Sequence, residues 1–303
     1  MTVIACDYIR VPLQFVAMIG SFSHGDSMNV LRSKYSVFLG IFATYVAASL
    51  AQGQTSVVAD QLDSKFKGEI FLLRGFYSGD QLEYDQNGVL RSTATQEPWT
   101  LAHVEITKLT LTPQSIVILG NRMGTLYKNG KPGFVKVGKV KIEVTRSNLD
   151  ADKKETLDQV IGRIFIESEE DLRPLLPEYW QSYLAGNDLK SRSAAWRAKT
   201  DSNGYKSQVS VSKTSDRVSA PQPVYLKDPK YTKEAHAHRV EGITRLGTII
   251  ETTGTASNIA ILEPLGMGLD EQAILALKQS KFQPAMNNGH PVRVQIEIEM
   301  DFR

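Results

Sequence analysis

From Val292 onward the chain alternates to its last residues. Val292, Val294, Ile296, Ile298, Met300 and Phe302 are apolar, and Arg293, Gln295, Glu297, Glu299, Asp301 and Arg303 fill the places between. A period of two puts one set against a core and the other in water, the signature of a half-buried antiparallel strand. A long strand of this kind is also a candidate sheet edge, whose unpaired N–H and C=O groups can accept another extended segment. The C-terminal part must therefore be built around a sheet.

At 303 residues the chain suits two modules with an export or linker segment. Its formal net charge of +2 predicts no nucleic-acid partner, which calls for a concentrated basic face. Tyr35 to Leu50 carries no charge, follows Arg32 and Lys34, and ends in Ser49-Leu50-Ala51. Basic lead, apolar stretch and small-x-small end form the order of a secretory signal. At about 16 residues the stretch is shorter than the roughly 20 of a spanning helix.

Met28 would give this signal a normal start, so residues 1–27 read as an over-extended N-terminus and 28–51 as a signal peptide. The alternative is a short anchor retained in the inner membrane and facing the periplasm. Cys6, the one cysteine, lies in the leader. A chain starting near Gln52 has no thiol, which excludes disulfides, cysteine-zinc sites and thiol catalysis. Its net charge falls to +1, because the leader removes Arg10, Arg32, Lys34, Asp7 and Asp26.

Between about 57 and 146 short apolar runs alternate with turn signals, and Asn87-Gly88 and Asn129-Gly130 mark tight turns. A small antiparallel sheet is expected here. DADKKETLDQVIGRIF and SEEDLRPLLPEYWQSYLAG read as helices, the second with acidic residues at its start, where a helix dipole favours them. Strands followed by helices make 57–186 an α+β domain of unassigned role. Residues 187–221, polar and poor in large apolar side chains, read as a flexible linker spanning roughly 30–35 Å.

From 222 to 303 the pattern is α-β-β-α-β. Thr232 is a candidate N-cap of a short helix ended by Gly242, and Thr253-Gly254 turns a hairpin. Asp270 is a candidate cap of a second helix presenting Leu269, Ala273, Ala276 and Leu277 on one face. The terminal strand closes the unit.

This segment resembles the C-terminal domain of the TonB family. The likeness rests on Pro229-x-Tyr231 with Ala235, on Gly242, Gly254, and Gly268-Leu269-Asp270 with Ala273 and Ala276. It continues through Phe282-x-Pro284-Ala285, Gly289-x-Pro291-Val292 and Phe302. It covers about a quarter of the chain, and residues 57–186 bear only a loose likeness to the N-terminal part of secreted TonB-domain proteins.

The resemblance implies binding of an extended segment of an outer-membrane receptor or another envelope partner by strand addition. The implied edge comprises Val292, Val294, Gln295, Ile296, Glu297, Ile298, Glu299 and Met300, with Glu297, Glu299 and Asp301 discouraging unwanted pairing. Energy-transducing members keep an N-terminal helix in the inner membrane and carry a long proline-rich spacer. This chain has a signal-like segment and a short spacer with few prolines, and it inserts a domain. The implied location is periplasmic or secreted.

Other motifs read as ordinary structure. His236 and His238 are two apart, whereas chelation from a helix wants a spacing of four. LGMGLD lacks the third glycine of a dinucleotide loop and carries an acidic residue where phosphate would sit. SEEDLRP brings carboxylates without partners, and no Gly-x-Ser-x-Gly elbow is present. No catalytic residue, cofactor or metal site is expected, and the chain reads as a non-enzyme. Trp99 and Trp180 read as packing aromatics. A ligand of the N-terminal domain would be sought at Trp99, His103, Tyr77 and Tyr84. The competing function is a secreted structural or ligand-binding protein whose C-terminal domain serves self-association as a homodimer, or docking.

Overall fold

The computed structural model describes residues 65–112, 114–145, 157–202 and 218–303. The over-extended start, the export segment, Cys6 and part of the expected linker lie outside the described residues.

The N-terminal strands are β1 (Ile70–Leu73), β2 (Gln81–Tyr84), β3 (His103–Leu111), β4 (Ser115–Lys128) and β5 (Lys131–Thr145). With β6 (Phe165–Ile166) they form one sheet in the order β2-β5-β4-β3-β1-β6. Asn129 and Gly130 take φ of 51° and 72°, the double positive φ that lets a two-residue turn follow hairpin twist between β4 and β5. At the other Asn-Gly turn, the Asp85 side chain accepts from the N–H groups of Asn87 and Val89, each at 2.9 Å. The expectation of a purely antiparallel sheet fails at one place, because β2 runs parallel to β5. Alternation shows that Leu82 and Tyr84 face a core. It carries no information on direction when more than a hairpin separates the strands.

Helix α1 (Leu157–Ile164) precedes β6. Ser168 caps α2 (Glu169–Leu172), its hydroxyl accepting from the Asp171 N–H. One longer helix was expected here. Pro174 and Pro177 interrupt it, leaving 3-10 turns at Arg173–Leu175 and Glu178–Trp180 before α3 (Gln181–Leu184).

The flexible linker is also corrected, since Leu189–Ser202 form helix α4. Its apolar stripe is thin, with Leu189 and Trp196 seven residues apart, so the sequence carries little amphipathic signal. Trp196 packs with Ala260 and Leu262. A Cβ on Gly247 would meet the Trp196 ring at 2.8 Å, so the bare glycine backbone is what lets the indole lie flat on the sheet beneath.

That sheet belongs to the C-terminal unit: β7 (Gln222–Tyr225), α5 (Lys233–Ala237), β8 (Gly242–Ile250), β9 (Ala256–Glu263) and α6 (Leu269–Gln279). Short strands β10 (Lys281–Gln283), β11 (Ala285–Asn287) and β12 (His290–Val292) lead to β13 (Val294–Phe302). The main sheet has the order β13-β8-β9, and α+β is the observed class. Thr232 caps α5 as expected, accepting from the Ala235 N–H. Three local readings change. Helix α5 ends at Ala237, with Arg239 (φ 50°) taking the left-handed conformation just after it, and Gly242 instead opens β8. Gly268, at φ 74°, is the N-cap of α6, and Asp270 sits inside the helix. Val292 ends β12, so the terminal strand starts at Val294.

The described residues, from 65 to 303, all fall within one compact unit. A single core cluster contains Ile106, Ile118 and Trp180 together with Leu246, Ile261 and Leu277. Replacing Trp196 by Ala should lower the unfolding free energy by about 3–5 kcal/mol, read from urea transitions. Ala198→Ser, on the exposed side of the same helix, should change it by less than about 0.5 kcal/mol.

Candidate docking edge

Strand β13 pairs with β8 along its whole length, from Val294↔Ile250 to Phe302↔Gly242, without a bulge. It is the outer strand, with no strand paired to its far side among the described residues. Val294, Met300 and Phe302 are buried, and the Phe302 ring meets Tyr231 edge-on at 5.5 Å. The apolar half of the alternation thus seats the strand as expected.

The polar half departs from expectation. Glu299 and Asp301 are exposed, and Glu299 pairs with Arg245 at 2.6 Å. Glu297 instead accepts from Arg197 of α4 at 2.7 Å, because the helix brings its own cation over that face. Gln295 is buried, and neither of its amide atoms has a hydrogen-bond partner. The polar face of the strand therefore opens toward solvent in its second half, at Glu299 and Asp301, while Gln295 is enclosed. Toward the other edge of the sheet, the 178–184 segment and α4 pack against β9. A cleft of about 220 Å³ remains there, lined by Tyr179, Ser182, Trp196, Ser257 and Lys278 among others.

Residues 227–303 match the family described as the Gram-negative bacterial TonB protein C-terminal. Over those residues the chain is similar to TonB C-terminal domains. This homology supports a TonB-like envelope protein. No curated protein matches the chain. A solution NMR structure of the Pseudomonas aeruginosa TonB C-terminal domain is 24% identical over 28% of this chain and 87% of that one, with a TM-score of 0.24.

Within this C-terminal domain, the motif residues other than Phe302 lie behind the edge rather than on it. Ala235 and Ala273 are fully buried, their small side chains keeping α5 and α6 close to the sheet. Gly254, at φ 74°, turns the β8–β9 hairpin, and a Cβ there would fall 1.8 Å from the Phe282 carbonyl oxygen. The Phe282 N–H donates back to the Gly254 carbonyl at 2.9 Å. Gly289 completes the turn between β11 and β12, where Ala285 pairs with Val292 and Met286 with Pro291. Pro229 precedes α5, and Pro284 separates β10 from β11.

Asp270 has the most demanding place. It is fully buried, and its carboxylate accepts from the N–H groups of Leu265 (2.8 Å) and Gly266 (2.9 Å) and from the Thr244 hydroxyl (2.8 Å). One side chain thus fastens the loop before α6 to β8. Burial raises its pKa, against the lowering effect of those hydrogen bonds. The acidic residue that argued against a phosphate loop is occupied by the protein's own donors.

The aromatic candidates of the N-terminal part serve packing. Trp99 and His103 lie 5.9 Å apart, and Trp99 meets Trp180 edge-on at 5.2 Å. Burial lowers the His103 pKa to about 3, so the ring is neutral and shares a hydrogen bond with Thr125 at 3.2 Å. Tyr84 is buried, and Tyr77 offers its carbonyl to the Arg122 guanidinium at 2.7 Å. His236 and His238 lie at the end of α5, and no group of three His, Cys, Asp or Glu residues among the described residues is placed to hold a metal.

Asp270→Ala should cost about 3 kcal/mol in urea unfolding, since it leaves two backbone N–H groups buried without acceptors. Thr244→Val, which removes one donor of three, should cost about 1 kcal/mol.

Proposed function

We propose that this is an exported envelope protein whose C-terminal domain captures an extended segment of an outer-membrane receptor, or of another envelope partner, by adding it to β13. The observation that carries the reading is the position of β13, the outer strand of a TonB C-terminal domain sheet, held in unbroken register by β8. Main-chain hydrogen bonds would give most of the grip, and side chains along the exposed half would set register. Arg245, Glu299 and Asp301 make that half polar and charged, which guards an edge against unspecific pairing. The activity is binding, with no chemistry at the site. Among the described residues no helix is long and apolar enough to cross a membrane. Coupling to an energised inner membrane would depend on the 35–50 segment remaining as an anchor.

Successive residues of an antiparallel strand point their N–H groups to opposite sides. Of the variants Ile298→Pro and Glu299→Pro, one therefore loses a bond to β8 and the other loses an outward donor. The outward variant should keep the wild-type circular dichroism and lose titratable binding of synthetic receptor N-terminal peptides by at least tenfold. Full binding by both folded variants would refute strand addition. Self-pairing of two β13 edges would instead appear as a dimer in sedimentation that is lost in the same variant.

A further inference from the structure

Glu271 follows the buried Asp270 in the first turn of α6, and its carboxylate points at the N-terminal part of the chain. Its Oε1 accepts from the Trp180 indole N–H at 2.9 Å. Its Oε2 is buried without a hydrogen-bond partner. Trp180 is itself fully buried and makes edge contacts with Trp99 at 5.2 Å and Tyr183 at 5.6 Å. The Asp270 carboxylate and the Glu271 Oε2 are thus withdrawn from water where the C-terminal domain meets the 178–184 segment. No lysine or arginine is paired with either among the described residues.

The groups facing this site supply no compensating charge. Tyr179 stands beside Trp180, and burial raises its pKa first, with Glu271 and Asp270 adding to the rise. Tyr127 of β4 and Tyr183 of α3 are raised mainly by burial as well, so all three phenols are neutral. Arg192 of α4 lies over the Tyr183 ring at 4.1 Å, and its guanidinium serves the Gly186 and Leu262 carbonyls. Asp270 has three donors, whereas Glu271 has one. When both cannot be ionised, the proton belongs on Glu271.

We propose that the contact between Trp180 and Glu271 is a proton-dependent latch, closed when Glu271 is protonated and loosened when it ionises, which sets how firmly the TonB C-terminal domain is held against the rest of the chain. Burial, then the Asp270 charge, raise the Glu271 pKa to about 7, with the Trp180 hydrogen bond opposing them. The packed state therefore binds the proton more tightly than a solvated carboxyl does. Its stabilisation is complete at pH below the ordinary glutamate range and is lost as pH rises through about 7.

The chain's three tryptophans, Trp99, Trp180 and Trp196, are all buried, and Trp99 and Trp180 sit at the latch, so acrylamide quenching of tryptophan fluorescence reads its opening. With the full exported chain between pH 5.5 and 8.5, quenching should stay low in acid and rise at least twofold with a midpoint near pH 7. Glu271→Gln, close in shape and never charged, should stay at the acid level throughout. Trp180→Phe removes the donor that favours the ionised form and should move the midpoint up by about one pH unit, read by the remaining Trp99 and by proteolysis of the 178–184 segment. A flat wild-type profile would overturn the latch, and so would a Glu271→Gln variant that keeps the wild-type rise.

Discussion

A short seam of hydrogen bonds, two of them main-chain to main-chain, joins the N-terminal part of the chain to the loop before α6. Tyr127 N–H donates to Leu265 O at 2.9 Å, Met267 N–H to Thr125 O at 2.8 Å, and Gly268 N–H to the Thr100 hydroxyl at 3.0 Å. The loop is buried, so each of these groups would be costly without its partner. Thr232 adds a bond from its hydroxyl to the Met267 carbonyl. The loop sets where α6 begins, α6 covers the apolar face of the C-terminal sheet, and Asp270 ties that same loop to β8. The two sheets therefore share one core, and the outer strand is placed by residues far from it in sequence.

Around the seam the protein concentrates aromatic rings. Phe134, His103, Trp99, Trp180, Tyr183 and Tyr127 follow one another with centroid separations between 5.0 and 5.9 Å. Tilted and edge-on contacts of this kind add directional preference to burial. They hold the helical segment after β6 against both sheets, and they enclose polar groups that meet one another rather than water.

Much of the C-terminal domain was legible because its signals are local. Alternation in β13, the Thr232 cap, the Gly254 turn and the Asn129-Gly130 turn each need only a few neighbouring residues. What escaped depends on distant partners. Helix α4 looks like a linker because a single tryptophan carries most of its packing, and its seat is a glycine some fifty residues away. Asp270 resembles a cap in sequence, but positive φ at Gly268 gives the cap to the glycine, and the aspartate turns inward to satisfy the loop. At the candidate edge, alternation identified the strand and its dry face. It could not show that Arg197 would reach Glu297 or that Gln295 would be enclosed. The Glu271–Trp180 pair joins residues 91 positions apart, beyond any local pattern.

The register of β13 has a mechanical meaning. Its nine residues run antiparallel to β8 without a shift, whereas the β8–β9 ladder slips twice. A load applied along β13 would be carried in shear by the whole ladder at once. A load applied across it would break the hydrogen bonds one after another. The same strand would therefore be stiff in one direction and weak in the other. With β8 in the middle of the sheet, the force would pass to the interior of the domain before it reached the aromatic seam.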